Sequence, residues 1–266
     1  MNYLFAAILG MVQGLTEFLP VSSSAHLILA RAFFGWDATV FGLSFDVACH
    51  VGTLTAILYY FRNEIRGMIK AIPLAIRDGS ENGRPIRLIV VATIPAIIFG
   101  LLMADRIEAL FRTPLVCAVA LSFGALAMVL VERIRQHNRS EWELTNGEAL
   151  ALGCAQAVAF FPGISRSGAV ITLALFLGLQ REAGARFAFL LSIPVILLAT
   201  LRTGFNVLVT HQGGDLMLLV IGAITSALVG YATIKYFLSY LARNTLDVFA
   251  VYRLVLAVTV IVWIVV

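Results

Sequence analysis

Residues 246–266 read LDVFAVYRLVLAVTVIVWIVV, an apolar run of 21 residues with a single acidic and a single basic side chain. About 20 consecutive apolar residues make a helix that crosses the hydrocarbon core of a bilayer. The whole chain has this character, with 61% hydrophobic and 13% charged residues among 266 and a mean hydropathy of +0.95. This composition excludes a soluble globular protein and predicts one all-α, polytopic membrane domain over residues 1–266.

Six apolar runs are long enough to form membrane-spanning helices, at residues 43–61, 88–104, 115–131, 186–201, 216–237 and 246–266. Two other apolar segments, residues 4–34 and 148–179, are interrupted by the clusters PVSSS and PGISRSG. A broken helix leaves backbone N–H and C=O groups unpaired, so each break must lie within protein or line a wet cavity. We therefore predict two re-entrant helix hairpins beside the six spans.

The chain also repeats itself. The stretch GMVQGLTEFLP at residues 10–20 matches GCAQAVAFFP at residues 153–162 after a slip of one residue. A second match pairs Arg-x6-Ile-Pro-x-Ile at residues 87–97 with the same pattern at residues 186–196. Duplication explains both matches. One hairpin and three spans give an odd number of crossings, so the second repeat, 146–266, is predicted to lie inverted relative to the first, 1–135.

The basic residues indicate the orientation, because cytoplasmic loops retain an excess of Lys and Arg. On this topology thirteen basic residues fall on one side and four on the other, with Arg166 and Arg253 within the membrane. The four are Arg31, Arg106, Arg112 and Arg202, and the thirteen are Arg62, Arg66, Lys70, Arg77, Arg84, Arg87, Arg133, Arg135, Arg139, Arg181, Arg186, Lys235 and Arg243. Both termini are thus predicted outside. The net charge of +4 reflects topology, and we expect no nucleic-acid partner.

Functional residues are expected where the chain accepts a costly placement. An arginine at the centre of a membrane helix costs about 2.5 to 3.5 kcal/mol on insertion scales. Glu17 and Arg166 are therefore predicted to face one cavity, and Gln13 shares a helix face with Glu17. In the second hairpin, residues 165–168 place two hydroxyls, a guanidinium and helix N-terminal amides together, which predicts an anion site.

Structural interpretations of several polar residues remain open. Gln13 and Gln156 would serve equally well to join helices, and Arg253 would serve as a structural or snorkelling residue. Asp46 and His50 lie four apart on one helix face, which is the spacing of a metal pair. A contact of Asp46 with a helix N-terminus explains the same residue equally well.

Two motifs resemble a known family. The stretches QGLTEFLPVSSSAH at residues 13–26 and PGISRSG at residues 162–168 resemble the signatures of undecaprenyl-diphosphate phosphatases, the bacitracin-resistance proteins. The stretch FDVACHVGT at residues 45–53 and the pair Tyr252-Arg253 also fit. The resemblance implies hydrolysis of undecaprenyl diphosphate at the outer face of the bacterial inner membrane. This reaction regenerates the lipid carrier of cell-wall synthesis and confers bacitracin resistance.

The resemblance also implies roles for individual residues. Glu17 matches the acid of the family's E/Q-x-x-x-E motif, His26 ends its serine-histidine stretch, and Arg166 is the arginine of its second motif. Gln13 stands where many members carry glutamate, so a divalent cation, Mg²⁺ or Ca²⁺, would be held by Glu17 together with substrate oxygens. Our hypothesis is that Ser23 attacks the terminal phosphorus, that His26 or Glu17 takes its proton, and that Arg166 neutralises phosphate oxygens. The predicted substrate-binding residues are Gln13, Ser22, Ser24, Ser165, Ser167 and Gly168.

Two alternatives remain at the level of sequence. His26 is a second candidate nucleophile, with Ser23 orienting the phosphate. Inverted repeats with broken helices are also a transporter architecture, so the chain would serve as a transporter or flippase for a phosphorylated polyprenyl lipid. The sequence allows a homo-oligomer in either case.

Overall fold

A computed structural model describes residues 1–36, 40–75, 80–134, 138–209 and 214–266. Two basic residues of the predicted charge asymmetry, Arg77 and Arg135, lie outside these ranges. The described residues form α-helices and short turns without a β-strand, which confirms the all-α class. The helices are α1 (Asn2–Phe18), α2 (Ser23–Phe34), α3 (Leu43–Tyr60), α4 (Arg62–Lys70), α5 (Ile72–Ala75), α6 (Arg84–Phe111), α7 (Pro114–Ile134), α8 (Asn146–Val158), α9 (Arg166–Phe176), α10 (Arg181–Val209), α11 (Leu216–Leu241) and α12 (Asp247–Val265).

Within the described ranges, five helices are long and apolar enough to cross a bilayer, namely α6, α7, α10, α11 and α12. The sequence predicted six. The remaining candidate, α3, has 18 residues but carries Asp46 and His50, and it is not among the five. Helices α6 and α10 extend beyond their predicted limits and contain Pro95 and Pro194 in their interiors.

The two interrupted segments are helix pairs, α1–α2 and α8–α9. Each second helix is preceded by a serine with a φ of 74°, Ser22 in one pair and Ser165 in the other. This left-handed region is uncommon for residues other than glycine. Both serines are N-caps: Ser22 Oγ accepts from the amide of Ala25 at 3.5 Å and Ser165 Oγ from that of Gly168 at 3.1 Å. The two breaks therefore share one local structure.

The two ends of each pair meet in space. Phe5 in α1 stacks on Trp36, which follows α2, with ring centroids 4.8 Å apart. Arg139 donates to Glu148 in the first turn of α8 at 2.8 Å and to the carbonyl of Leu177 at the end of α9 at 2.7 Å. Each pair therefore folds back on itself as a hairpin.

Small residues let the hairpins approach the long helices closely. An added Cβ at Gly14 of α1 would lie 2.6 Å from the carbonyl oxygen of Ser226 in α11. An added Cβ at Gly153 of α8 would overlap the carbonyl of Ala92 in α6. Close backbone approach through small residues is typical of helix packing in membranes. Helix α1 thus packs on α11, α8 on α6, and α7 on α12.

Ion pairs gather the helix ends into two groups. At one end, called the Asp46 end, Asp46 pairs with Arg31 and Arg112, and Asp105 pairs with Arg202. The other, called the Glu132 end, contains the pairs Glu132–Arg181, Glu64–Arg186, Glu141–Arg186 and Glu148–Arg139. Two arginines occupy the Asp46 carboxylate, which favours the helix N-terminus interpretation over an Asp46–His50 metal pair. Asp46 lies in the first turn of α3, as the helix N-terminus interpretation expects.

Candidate active site

The site is organised around the carboxylate of Glu17, whose side chain is 2% exposed. Its Oε1 accepts a hydrogen bond from Arg166 Nη2. Its Oε2 accepts from Ser23 Oγ at 2.7 Å and from Gln13 Nε2 at 2.9 Å. The structure therefore brings three other predicted residues, from both hairpins, onto the Glu17 carboxylate.

Local structure explains this convergence. Gln13 and Glu17 lie one turn apart on α1 and share a face. Ser23 and Arg166 are the first residues of α2 and α9, and each directly follows a serine with positive φ. Because the two breaks face each other, Arg166 reaches a carboxylate that is 149 positions away in the chain.

The other serines of the motifs build the breaks. Ser22 Oγ lies 3.2 Å from Ser24 Oγ, and Ser165 Oγ lies 3.3 Å from Ser167 Oγ. Ser167 Oγ also donates to the carbonyl oxygen of Leu19, across the two hairpins, at 3.0 Å. These hydroxyls, predicted to bind substrate, are engaged with one another and with the backbone in this structure.

His26 lies apart from the Glu17 cluster. Its Nδ1 is 2.8 Å from the carbonyl oxygen of Ser22, and its Nε2 is 2.7 Å from the hydroxyl of Tyr252. Because a carbonyl only accepts, this network assigns the proton to Nδ1 and leaves Nε2 to accept from Tyr252. The Ser23 hydroxyl donates to Glu17, so the observed geometry favours Glu17 over His26 as the acceptor of its proton.

Two neighbours of the site were given no role in it by the sequence. His50 Nδ1 lies 3.1 Å from Gln13 Nε2 and 3.9 Å from Glu17 Oε2. Tyr252 contacts His26 through its hydroxyl and through near-parallel rings with centroids 5.7 Å apart. Both residues lie in stretches that fit the family pattern. The spacing of His50 from Asp46 was a second sequence signal for His50, but it pointed to a different site.

The structure also shows the surroundings of Arg253 and of the two glutamines, Gln13 and Gln156. Arg253 is fully buried, so it does not snorkel. Gln156 is 1% exposed, and within the described ranges neither of its polar side-chain atoms has a hydrogen-bond partner. Gln13 bonds to Glu17 in its own helix and lies 3.1 Å from His50 in α3, so it connects two helices.

The described residues contain no group of three or more His, Cys, Asp or Glu side chains that could hold a metal ion. The donors at Glu17 are nevertheless suited to a hard cation. The amide nitrogen of Gln13 faces the carboxylate, and its Oε1 is buried with no hydrogen-bond partner in the described part of the chain. Carboxylate and amide oxygens are the ligands that Mg²⁺ and Ca²⁺ prefer, so Glu17 and Gln13 fit such an ion.

Residues 6–259 match the family model described as bacitracin resistance protein BacA, a range that includes both breaks, Glu17 and the three residues that meet at its carboxylate. The chain belongs to the BacA family. A relative from Rubrobacter xylanophilus, named undecaprenyl-diphosphatase, is 44% identical over 263 residues, which cover 97% of this chain and 96% of the relative. The family resemblance of the two motifs is confirmed over nearly the whole length.

Proposed function

We propose that this BacA-family chain is a membrane enzyme that hydrolyses undecaprenyl diphosphate to undecaprenyl phosphate and inorganic phosphate. The observation that carries the chemistry is the Glu17 carboxylate, which accepts from the Ser23 hydroxyl at 2.7 Å and pairs with Arg166 through its other oxygen. A hydroxyl, a base and a fixed cation are the groups that phosphoryl transfer requires. Family membership and the 44% identical undecaprenyl-diphosphatase support the substrate.

The reaction proceeds in two steps. Ser23 Oγ attacks the terminal phosphorus while its proton passes to Glu17 Oε2. The bond from that phosphorus to the bridging oxygen breaks, and undecaprenyl phosphate leaves with the electron pair. After Glu17 has released the proton to solvent, it takes a proton from water, whose oxygen attacks the phosphoserine. Phosphate departs, and the proton returns to Ser23 Oγ.

The direct test is phosphate release from a C55 prenyl diphosphate by the detergent-purified chain. Undecaprenyl monophosphate is the matched control, because it carries the same tail without the anhydride bond. Release from the diphosphate alone is expected. Family membership does not favour the transporter alternative. Folded protein that released no phosphate but moved the labelled lipid across liposomes would favour it.

Arg166 is expected to change partner during the reaction. Before substrate binds, its guanidinium pairs with Glu17. An entering phosphate offers oxygens to Arg166 in a bidentate geometry and frees the carboxylate to act as a base. The mutation Arg166→Lys keeps the charge but loses the planar pair of donors, so we expect kcat to fall about 10²-fold.

This prediction is checked by steady-state kinetics of Arg166→Lys beside Arg202→Lys. Arg202 pairs with Asp105, whose side chain is exposed, and donates to the carbonyl oxygen of Gly100, so Arg202→Lys tests the loss of a guanidinium away from Glu17. Equal kcat values for Arg166→Lys and the unaltered chain would contradict a role for Arg166 at the reacting phosphate.

We further propose that Glu17 and the amide oxygen of Gln13 hold a divalent cation, Mg²⁺ or Ca²⁺. When bound, the ion supplies positive charge to the non-bridging oxygens of the diphosphate. Chelation with EDTA is therefore expected to abolish phosphate release. The mutation Gln13→Glu adds a second carboxylate beside Glu17 and is expected to tighten metal binding about tenfold, since affinity rises with ligand charge.

The readout is the affinity of the substrate-free protein for Mn²⁺, measured by electron paramagnetic resonance, with Gln13→Met as the matched variant that removes the oxygen. Tighter binding in Gln13→Glu and weaker binding in Gln13→Met are expected. Unchanged affinity in both variants would exclude Gln13 as a ligand, whatever the effect on activity.

The finer topology is also a proposal, with α3 as the sixth span, α1–α2 and α8–α9 as re-entrant hairpins, and residues 1–135 and 146–266 as inverted repeats. It is supported by the shared φ of 74° at Ser22 and Ser165 and by the related packing of α1 on α11 and α8 on α6. In this order α3, α6 and α7 correspond to α10, α11 and α12. The sequence match between residues 87–97 and 186–196 pairs α6 with α10, which differs from this correspondence. The support for duplication therefore comes from the two hairpins.

We propose that the chain lies in the bacterial inner membrane with both termini outside and the active site facing the periplasm. Arg31, Arg112 and Arg202 form ion pairs at the Asp46 end, and Arg106 is the fourth basic residue assigned to that side. Thirteen basic residues are assigned to the Glu132 end. Eleven of them lie in the described ranges, and Arg77 and Arg135 do not. This asymmetry makes the Glu132 end cytoplasmic. A homo-oligomer and the absence of a nucleic-acid partner stay predictions.

A further inference from the structure

Arg253 in α12 is the largest fully buried side chain of the described chain, with 0% exposure. Its guanidinium makes five hydrogen bonds, and every acceptor is a main-chain carbonyl. The acceptors are the carbonyl oxygens of Leu121 (3.1 Å), Ala120 (3.2 Å), Pro20 (3.1 Å), Ile164 (3.1 Å) and Gly163 (2.9 Å). A buried guanidinium is costly unless all its donors are satisfied, and here the backbone of three separate segments satisfies them.

The carbonyls that Arg253 contacts occupy related places in the two hairpins. Pro20 lies two residues before Ser22, and Gly163 lies two residues before Ser165, the two serines with a φ of 74°. Nη1 binds the Pro20 carbonyl and Nη2 binds the Gly163 carbonyl. One rigid, planar group therefore bridges corresponding points of both breaks.

These carbonyls are close in sequence to the reacting groups. Pro20 lies three residues before Ser23, and Gly163 lies three residues before Arg166. The distance from Ser23 Oγ to Glu17 Oε2 is 2.7 Å, and a shift of about 1 Å between reacting groups lowers a rate roughly 10²-fold. The relative position of the breaks thus sets the geometry at Glu17.

The neighbouring helices leave space for this guanidinium. An added Cβ at Gly124 of α7 would overlap Arg253 Nη2, and one at Gly168 of α9 would lie 3.1 Å from Nη1. An apolar cavity of about 520 Å³ between α7 and α9 also reaches Arg253, with Ile164 in its lining. The guanidinium is therefore held where a small cation could enter if the side chain were removed.

We propose that Arg253 is a positioning residue for the phosphatase reaction, which rests on the function proposed above. By binding the carbonyls of Pro20 and Gly163 together, it holds the two breaks so that Ser23 and Arg166 meet on Glu17. It touches none of the reacting groups.

The first test is the kinetics of Arg253→Ala, with kcat normalised to folded protein by gel filtration and thermal unfolding. We expect kcat to fall about 10²-fold with KM changed less than about threefold. Millimolar guanidinium is expected to enter through the adjoining cavity and to raise the kcat of Arg253→Ala at least tenfold. Arg253→Lys should recover only part of the loss, because an ammonium group cannot bind both carbonyls in one plane. The control Arg106→Ala removes an exposed arginine and should behave as the unaltered chain.

A second variant displaces Arg253 without removing it. The added methyl group of Gly124→Ala collides with the guanidinium and should lower kcat at least tenfold. Its matched control is Gly204→Ala in α10, where an added Cβ meets nothing within 4 Å. A purely structural Arg253 would lower the folded yield but leave kcat per folded molecule within about threefold in both Arg253→Ala and Gly124→Ala, and that result would overturn the proposal.

Hydrogen exchange gives a readout that does not depend on activity. In Arg253→Ala, the amides of residues 21–26 and 163–168 should exchange faster together, because both breaks lose the same anchor. If the unaltered chain releases no phosphate but both segments exchange faster in Arg253→Ala, the proposed function is wrong, while the anchoring of both breaks by Arg253 is supported. If the chain is an active phosphatase and neither segment responds, the positioning role is wrong.

Discussion

Replacing Glu17 with glutamine is expected to lower kcat for undecaprenyl diphosphate hydrolysis by about 10³-fold while KM changes little. Glutamine has the same shape but one acceptor oxygen instead of two, so it can keep either the hydrogen bond from Arg166 or those from Ser23 and Gln13. What disappears is the capacity to take the Ser23 proton and later the proton of the attacking water. The loss therefore falls on the chemical steps.

The measurement is phosphate release by purified Glu17→Gln, with thermal unfolding recorded in the same detergent. Asp105→Asn is the matched control, because Asp105 also pairs with an arginine but its side chain is 81% exposed. That variant should retain kcat within about twofold, since exposed ion pairs contribute little. Retention of more than a tenth of kcat in folded Glu17→Gln would remove Glu17 as the base and leave His26 as the remaining candidate.

Hydropathy predicted most of the fold, because lipid imposes a simple requirement on helix length and composition. It also predicted α3, at residues 43–61, but Asp46 and His50 reduce the apolar character of this 18-residue helix, and it is not among the five helices long and apolar enough to cross a bilayer. Both side chains have partners that only the tertiary structure supplies, Arg31 and Arg112 for Asp46 and Gln13 for His50. The same polar residues that lower the hydropathy of this helix connect it to its neighbours.

The meeting of Glu17 and Arg166 could be predicted, because two charges within the membrane are costly unless they are paired. The contacts of His26 could not. Its partners are a backbone carbonyl at Ser22 and the hydroxyl of Tyr252, 226 positions away, and neither contact leaves a charge pattern in the sequence.

Arg253 shows the same limit more strongly. A buried arginine usually pairs with a carboxylate, but Arg253 does not. A search of the sequence for acidic partners therefore finds none of its contacts. All five of its acceptors are backbone carbonyls, which every residue possesses. The motif serines Ser22 and Ser165 were likewise predicted to bind substrate, whereas here they cap helices at a φ of 74°.

The mutation Ser23→Ala is expected to abolish turnover, with a loss of kcat on the order of 10⁴-fold or more, as for other enzymes that lose a nucleophile. The substitution deletes one oxygen at the start of α2, and Glu17 still has Arg166 and Gln13 as partners. The protein should therefore fold and bind substrate. The matched control is Ser239→Ala, which removes an exposed hydroxyl that bonds only to its own helix.

The nucleophile itself can be identified by rapid quenching with substrate labelled in the terminal phosphate. A phosphoserine survives acid, whereas a phosphohistidine is lost in acid and survives base. We expect an acid-stable label in the unaltered chain and in His26→Ala, and none in Ser23→Ala. An acid-labile label that persists in Ser23→Ala would make His26 the nucleophile and Ser23 the residue that orients the phosphate. His26 Nε2 would then have to leave the Tyr252 hydroxyl before it attacked, so Tyr252→Phe would speed that step instead of leaving it unchanged.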